Sequence, residues 1–388
     1  MNMATKKNIF EETLKEWLKA KGDKKQRGEI ARHICFVTGM HPKSISRRFK
    51  KLQLRDPAHQ ETRGRSVYYT SDVTAALKDV WEVGDQACGE DLHPMIAEYV
   101  AGIKACNEWH HSDEATSKLL AMSERTVKRR VAAFGRTRGM RKGMSATRPS
   151  DLRYIIPIFK GPWKDLPPGH GQLDTVAHCG STLSGDYAYS VTYIDAATYW
   201  VIPRAQWNKG QEATLANMKT IRDMLPVRWC EGHPDSGGEF INWLAKDWFE
   251  EEHIVLSRSE PSKKNDNMYV EERNGHVVRR FLGWRRLDNP DVVPLMNELY
   301  DLLAVYLNHI KAVKRNESKD KVGSTYVRRF EKKAKTPYQR MLEHERVPEV
   351  VKERLKKEHA AHNPLLLKRK IDTLVEKIFK VQKGNGGI

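Results

Sequence analysis

Three acidic residues stand where carboxylates could do chemistry. Asp174 lies inside a strand-like apolar run, QLDTVAHC (172–179). A carboxylate in such a run is costly to bury unless it meets a partner or a metal. Asp235 ends VRWCEGHPD (227–235) and precedes Ser236-Gly237-Gly238, glycines that allow close backbone approach just before a helix start. Glu271 comes early in a helical stretch, NDNMYVEERNGHVVRRF, with 35 residues between it and Asp235. Three carboxylates without a His or Cys set favour hard, oxygen-preferring Mg²⁺ or Mn²⁺ over zinc. Two such ions roughly 3.5–4 Å apart can activate an oxygen nucleophile and stabilise the leaving oxygen in phosphodiester displacement.

The elements around these acids have to bring them together. Strand-like runs occupy 172–179, 186–196 and 197–205, the second alternating aromatic and polar residues. A helix is expected over 209–225, with Leu215, Met218, Ile221 and Leu225 in register. A short strand over 227–235 leads to a helix from about Gly237 to Glu252, whose apolar face would hold Phe240, Trp243, Leu244, Trp248 and Phe249. A strand over 253–259, a Pro/Lys/Asn loop and a helix from about Met268 to Phe281 complete the order β-β-β-α-β-α-β-α. That order suggests a mixed five-stranded sheet flanked by helices. With the first and fourth strands as central neighbours, Asp174 and Asp235 would converge and Glu271 would project from the flanking helix.

Charge points to the partner. The chain has 388 residues, with 68 Lys+Arg against 50 Asp+Glu, a formal net charge of +18. Such an excess fits a polyanion, most simply nucleic acid. The hydrophobic share of 39% and ten Trp supply cores, which argues against wholesale disorder. No run of ~18 apolar residues exists, so no membrane span is expected. The polar N-terminus gives no secretion signal, and five scattered cysteines fit a reducing cytosol better than a disulfide framework.

The N-terminal third reads as all-helical. Leu14, Trp17 and Leu18 mark one amphipathic helix, and Ile30, Ile34 and Val37 a second. After a turn at Thr38-Gly39-Met40 comes PKSISRRFKKL, burying Ile45, Phe49 and Leu52 and exposing Lys43, Arg47, Arg48, Lys50 and Lys51. Helix, Gly turn and basic helix make a helix-turn-helix pattern. A second such unit follows 112–122. There Ser123 can cap SERTVKRRVAAFG and Gly135 can end it, with Val127, Val131 and Phe134 inward and Arg125, Lys128, Arg129 and Arg130 on or beside the open face. Solvated surface is the plainer reading of each basic face, and tandem units in a basic protein weigh against it. Arg63-Gly64-Arg65 could enter a minor groove or be plain linker.

At these residues the chain resembles the DDE transposase and retroviral-type integrase superfamily. The motifs are QLDTVAHCG at Asp174, PDSGGEFIN at Asp235 and KKNDNMYVEERNGHVVRR at Glu271, with D-x-G-x-E-F at the second Asp and E-x-x-N at the Glu. It is similar, more narrowly, to bacterial insertion-sequence transposases with an integrase-type core, in MSERTVKRRV, KTPYQRML and NPLLLKRKIDTL. The resemblance covers about 25–380 and is strongest over 170–285. It implies an α/β ribonuclease H-like core, an N-terminal all-α helix-turn-helix region and a helical C-terminal region. It also implies that Asp174, Asp235 and Glu271 are catalytic and bind two Mg²⁺ or Mn²⁺ ions. Asn274, one turn from Glu271, would contact end DNA or orient the carboxylate. The family's usual Asn after the second Asp is here Ser236, and Glu272 is a rival to Glu271 that the E-x-x-N register disfavours.

Other candidates read differently. Asp195 more simply closes the turn between two strands. Asp186 and Asp266 read as loop residues. Cys88, Cys106, His110 and His111 lack zinc spacing. Lys263 and Lys264 suit phosphate contacts. Trp163, Trp200, Trp207, Trp243 and Trp284 read as packing, with base stacking open to one of them. Residues 313–335 read as irregular. The expected organisation is a helix-turn-helix region over 1–60, a helical region with the second unit over 61–138 and a basic linker over 139–168. The catalytic domain would cover 169–288 and a helical basic region 289–388. The expected function is DNA transposition: cutting at element ends, then attack of the freed 3′-hydroxyl on target DNA. The partners would be double-stranded DNA (element ends and target) and further copies of the chain, at least a dimer on DNA. The location would be cytoplasmic and nucleoid-associated. The competing reading is a non-catalytic, sequence-specific DNA-binding regulator on a decayed transposase core. A ribonuclease H-like nuclease would leave the tandem DNA readers without a role.

Overall fold

The computed structural model describes residues 3–54, 68–134, 156–159, 163, 166–235, 237–258, 268–322 and 325–384; within its helices and strands, the side chains of 3–7, 268, 271–272, 317–322 and 326–328 lie outside that description. The expectations for Arg63-Gly64-Arg65, Gly135, Ser236, Asp266, Lys263, Lys264 and most of 139–168 fall outside the described residues. The chain divides into Met1–Tyr68 and Tyr69–Ile388.

The first unit holds α1 (Met3–Glu12), α2 (Leu14–Lys19), α3 (Lys24–Thr38) and α4 (Pro42–Gln53). Asp23 caps α3, its Oδ1 accepting from the N–H groups of Lys25 and Gln26 at 2.9 and 3.0 Å. Gly39, at φ 67°, ends α3 in the left-handed region. Pro42 then starts α4, where a missing N–H costs nothing. Phe10, Trp17, Ile34, Ile45 and Phe49 form the core, with Trp17 stacked on Phe49 at 4.4 Å. Leu18 and Val37, read as inward, are exposed.

In the second unit, five strands among the described residues form one mixed sheet in the order β3-β2-β1-β4-β5. They are β1 (His170–Ala177), β2 (Ala188–Asp195), β3 (Val201–Trp207), β4 (Glu231–Pro234) and β5 (Val255–Leu256). The first three run antiparallel, and β4 and β5 join in parallel. A parallel join needs a crossover, here supplied by α10 (Gln211–Met224) and α11 (Trp243–Glu251). This is the expected mixed five-stranded sheet flanked by helices, with further helices before and after it.

Strand alternation gives each face its own core. Leu173, Val191, Tyr193 and Ile202 face α10 and α11 through Leu215, Met218, Trp248 and Phe249. Val176, Ala188, Val201 and Ala205 belong to a second cluster with α12 (Met268–Val277), α13 (Arg279–Leu282) and α14 (Val292–Val305). That cluster continues without a break into α5 (Ser71–Val83), α6 (Gly89–Leu92), α7 (Ile96–Ala105), α8 (Asp113–Leu120) and α9 (Glu124–Val131), and into Leu367, Ile371, Leu374 and Ile378 of the C-terminal helix.

Three local readings are corrected. The helix expected from Gly237 starts only at Trp243, because 237–242 forms a turn and Asn242 is the N-cap, its Oδ1 accepting from Ala245 N–H at 2.8 Å. Trp243 and Leu244 consequently lie 57% and 42% exposed rather than on the apolar face. Residues read as irregular form a hairpin, β6 (Asn316–Val322) with β7 (Thr325–Phe330). The remaining C-terminal helices are α15 (Pro337–Glu343), α16 (Glu349–Ala360) and α17 (Pro364–Gly384). No helix among the described residues is long and apolar enough to cross a membrane.

Candidate active site

The parallel register of β1 and β4 puts Gln172 opposite His233 and Leu173 opposite Pro234. One residue further along come Asp174, mid-way along β1, and Asp235, just past the end of β4, so the register sets the two positions side by side. Asp174 Oδ1 accepts from Thr175 N–H at 2.8 Å. Asp235 Oδ1 accepts from Gly237 N–H at 2.9 Å. A Cβ at Gly237 would lie 2.8 Å from that same oxygen and 2.5 Å from Glu239 Oε2, so any side chain there would push the two carboxylates aside.

Helix α12 is tied to β1 at two points. Fully buried Gln172 accepts from the N–H groups of Tyr269 and Val270 through Oε1, at 3.0 and 3.1 Å. It thereby satisfies donors that a helix N-terminus leaves open. One turn on, Asn274 Nδ2 donates to Asp174 Oδ2 at 2.6 Å. The backbone of Glu271 lies between these ties, on the helix docked against Asp174. The Glu271 side chain is outside the described residues.

Electrostatically the site is acid-rich. Burial, and then the charge of Glu239, push the Asp235 carboxyl above its ordinary range. Glu239 is 4% exposed; its Oε1 accepts from Thr175 Oγ1 at 2.9 Å and meets Lys209 Nζ at 2.7 Å. An all-oxygen donor set with surplus negative charge fits Mg²⁺ or Mn²⁺ chemistry. Among the described residues no group of three or more His, Cys, Asp or Glu is placed to hold a metal ion. Gln172, Thr175, Lys209 and Glu239 escaped the sequence reading. Glu239 sits in the D-x-G-x-E-F motif, but nothing local marks Lys209 or Gln172.

The other candidates lie elsewhere. Asp195 is fully buried and closes the β2–β3 turn, accepting from Gly169 N–H at 2.6 Å and from Thr198 N–H and Oγ1 at 2.8 and 2.7 Å. Lys43 and Arg47 are exposed on α4, whereas Arg48, read as exposed, is half-buried with its guanidinium 5.0 Å from the Phe10 ring centre. On α9, Arg125 and Arg129 are exposed, while Lys128 is ion-paired with Glu90. Arg130 is drawn inward, donating to Tyr69 O at 2.8 Å. Ser123 makes no side-chain cap to the α9 backbone; its hydroxyl meets Thr126 Oγ1 at 3.0 Å instead. His111 pairs with Asp79 at 2.7 Å.

No protein-family model matches the chain. An uncharacterized protein of Sinorhizobium fredii, y4rM, is 28% identical over 336 residues, covering 85% of this chain and 93% of its own. Among solved structures, the HTLV-2 integrase catalytic core domain in complex with magnesium (dimeric form) is similar over 39% of this chain and 93% of its own, at 17% identity and a TM-score of 0.28. A likeness so remote adds nothing to the strand order described above.

Proposed function

We propose that the chain is a metal-dependent polynucleotidyl transferase of the DDE type, and specifically a DNA transposase. The observation that carries this reading is the docking of α12 on β1. The Gln172 and Asn274 contacts hold the Glu271 backbone beside Asp174, which in turn neighbours Asp235. Asp174, Asp235 and Glu271 would hold two Mg²⁺ or Mn²⁺ ions. When bound, such ions supply Lewis acidity to a phosphodiester and to the attacking oxygen. Asn274 fixes the orientation of the Asp174 carboxylate, and Gln172 fixes the helix that carries Glu271. Exposed Lys43 and Arg47 on α4 and Arg125 and Arg129 on α9 would contact the element ends, with Lys128, Arg48, Lys263 and Lys264 as further DNA contacts. Cutting and joining two ends requires at least two copies on DNA.

The test is a strand-joining assay with labelled duplexes of the DNA flanking the gene, a supercoiled plasmid and Mg²⁺. Wild-type protein is expected to join ends, and Asp235→Asn to lose at least ~10²-fold in rate. Specific binding to the ends with neither cutting nor joining in Mg²⁺ or Mn²⁺ overturns the enzyme reading in favour of a DNA-binding regulator.

A further inference from the structure

Beside the two aspartates sits a charge pair that the proposed chemistry does not use. Glu239 lies in the turn after β4, its side chain 2% exposed, and Lys209 lies between β3 and α10, its side chain 22% exposed. Their contact is 2.7 Å. Through Thr175 Oγ1, at 2.9 Å, Glu239 also reaches the residue next to Asp174. It thus joins three segments, two of which carry the proposed ligands. A carboxylate buried this deeply needs a compensating charge. Lys209 supplies it, and the same ammonium also acts favourably on the Asp235 carboxylate.

Resting on the metal-dependent reading above, we infer that Lys209 and Glu239 are positioning residues forming a built-in charge balance that sets how strongly the site takes a divalent cation. Glu239 holds the ammonium in place, and Lys209 cancels the charge of Glu239. The geometry gives the two residues opposite effects. Glu239→Gln keeps an oxygen for Thr175 and leaves Lys209 unpaired beside Asp235, where it competes with a cation. Lys209→Met leaves Glu239 uncompensated and adds negative charge to the site. Removing both charges restores the balance. A unit charge about 6 Å from a divalent cation changes its affinity on the order of tenfold at water-like dielectric, as in a site open to solvent.

The experiment is calorimetric titration of the full-length chain with Mn²⁺ alone, without DNA, accompanied by far-ultraviolet circular dichroism. Wild type is expected to show saturable Mn²⁺ binding that Asp235→Asn abolishes. Glu239→Gln is expected to bind Mn²⁺ about tenfold more weakly and Lys209→Met about tenfold more tightly, with the double variant within about twofold of wild type. A purely structural pair would not move affinity in opposite directions or restore it in the double variant. Lys209→Gln removes the same charge and replaces Lys209→Met should that variant fail to fold. Unchanged Mn²⁺ affinity in both folded single variants overturns this inference alone. Absence of Asp235-dependent binding in the wild type overturns the metal reading and the inference together.

Discussion

At the residue scale, the candidate site divides into what type and spacing reveal and what only the fold reveals. Asp174 and Asp235 announce themselves, because an acid in an apolar strand and an acid before paired glycines both need explaining. Gln172 does not: its partners Tyr269 and Val270 are almost a hundred positions away, and no local pattern marks it. Lys209 is equally silent, one cation among 68 Lys and Arg residues. Asn274 was legible through E-x-x-N, and its donation to Asp174 gives that position a physical task. Groups that orient a ligating carboxylate typically matter 10–100-fold. Asn274→Ala is therefore expected to lower the strand-joining rate by about 10–100-fold, with binding of the end duplex unchanged. Joining at the wild-type rate would remove the orienting role.

At the element scale, periodicity identified the three antiparallel strands and α10, but it misjudged two places for identifiable reasons. Apolar spacing over 240–249 looks helical throughout, yet Gly237-Gly238 and the Asn242 cap delay α11 to Trp243 and turn that ring to solvent. The ribbon over 316–330 carries mostly charged and polar residues, so it lacks the apolar alternation that betrays a strand. On α9 the basic run is legible but its division of labour is not. Arg125 and Arg129 are exposed, whereas Lys128 is engaged with Glu90. Each phosphate contact contributes about 0.9 to the slope of log affinity against log salt. Arg125→Ala and Arg129→Ala are each expected to reduce that slope by about that amount, and Lys128→Ala by clearly less. Binding titrations of the end duplex over a KCl series check this; equal losses for all three would mean that the Glu90 pair yields to DNA.

At the scale of the whole second unit, its packing carries a pH dependence. Burial holds His178, His233 and His309 down to about 3, so all three stay neutral in the folded state near neutrality. In the unfolded chain they take up protons at the ordinary histidine value of about 6.5. The stability this represents is complete above that value and is lost as pH falls towards the folded values, at up to about 1.4 kcal/mol per pH unit for each histidine. Burial pushes Glu98 up to about 7, which acts in the opposite sense. The raised carboxyls of Asp91, Asp195 and Asp235 act in that same sense. Thermal unfolding should therefore show a midpoint that changes little between pH 7.5 and 6.5 and falls from there towards pH 5; a flat profile down to pH 5 would mean that these rings are solvated. None of this was visible in the chain, where 15 histidines are scattered and nothing local marks the three that are buried.

The unbroken core linking α9 to the sheet and to α12 has a consequence for how such a protein would read length. If α9 lies on a fixed sequence of base pairs, the phosphate presented to Asp174 and Asp235 is fixed with it, since α9 and the sheet contribute to one core. The unit would then act as a ruler, measuring out the cut from the recognised sequence by the dimensions of its own interior.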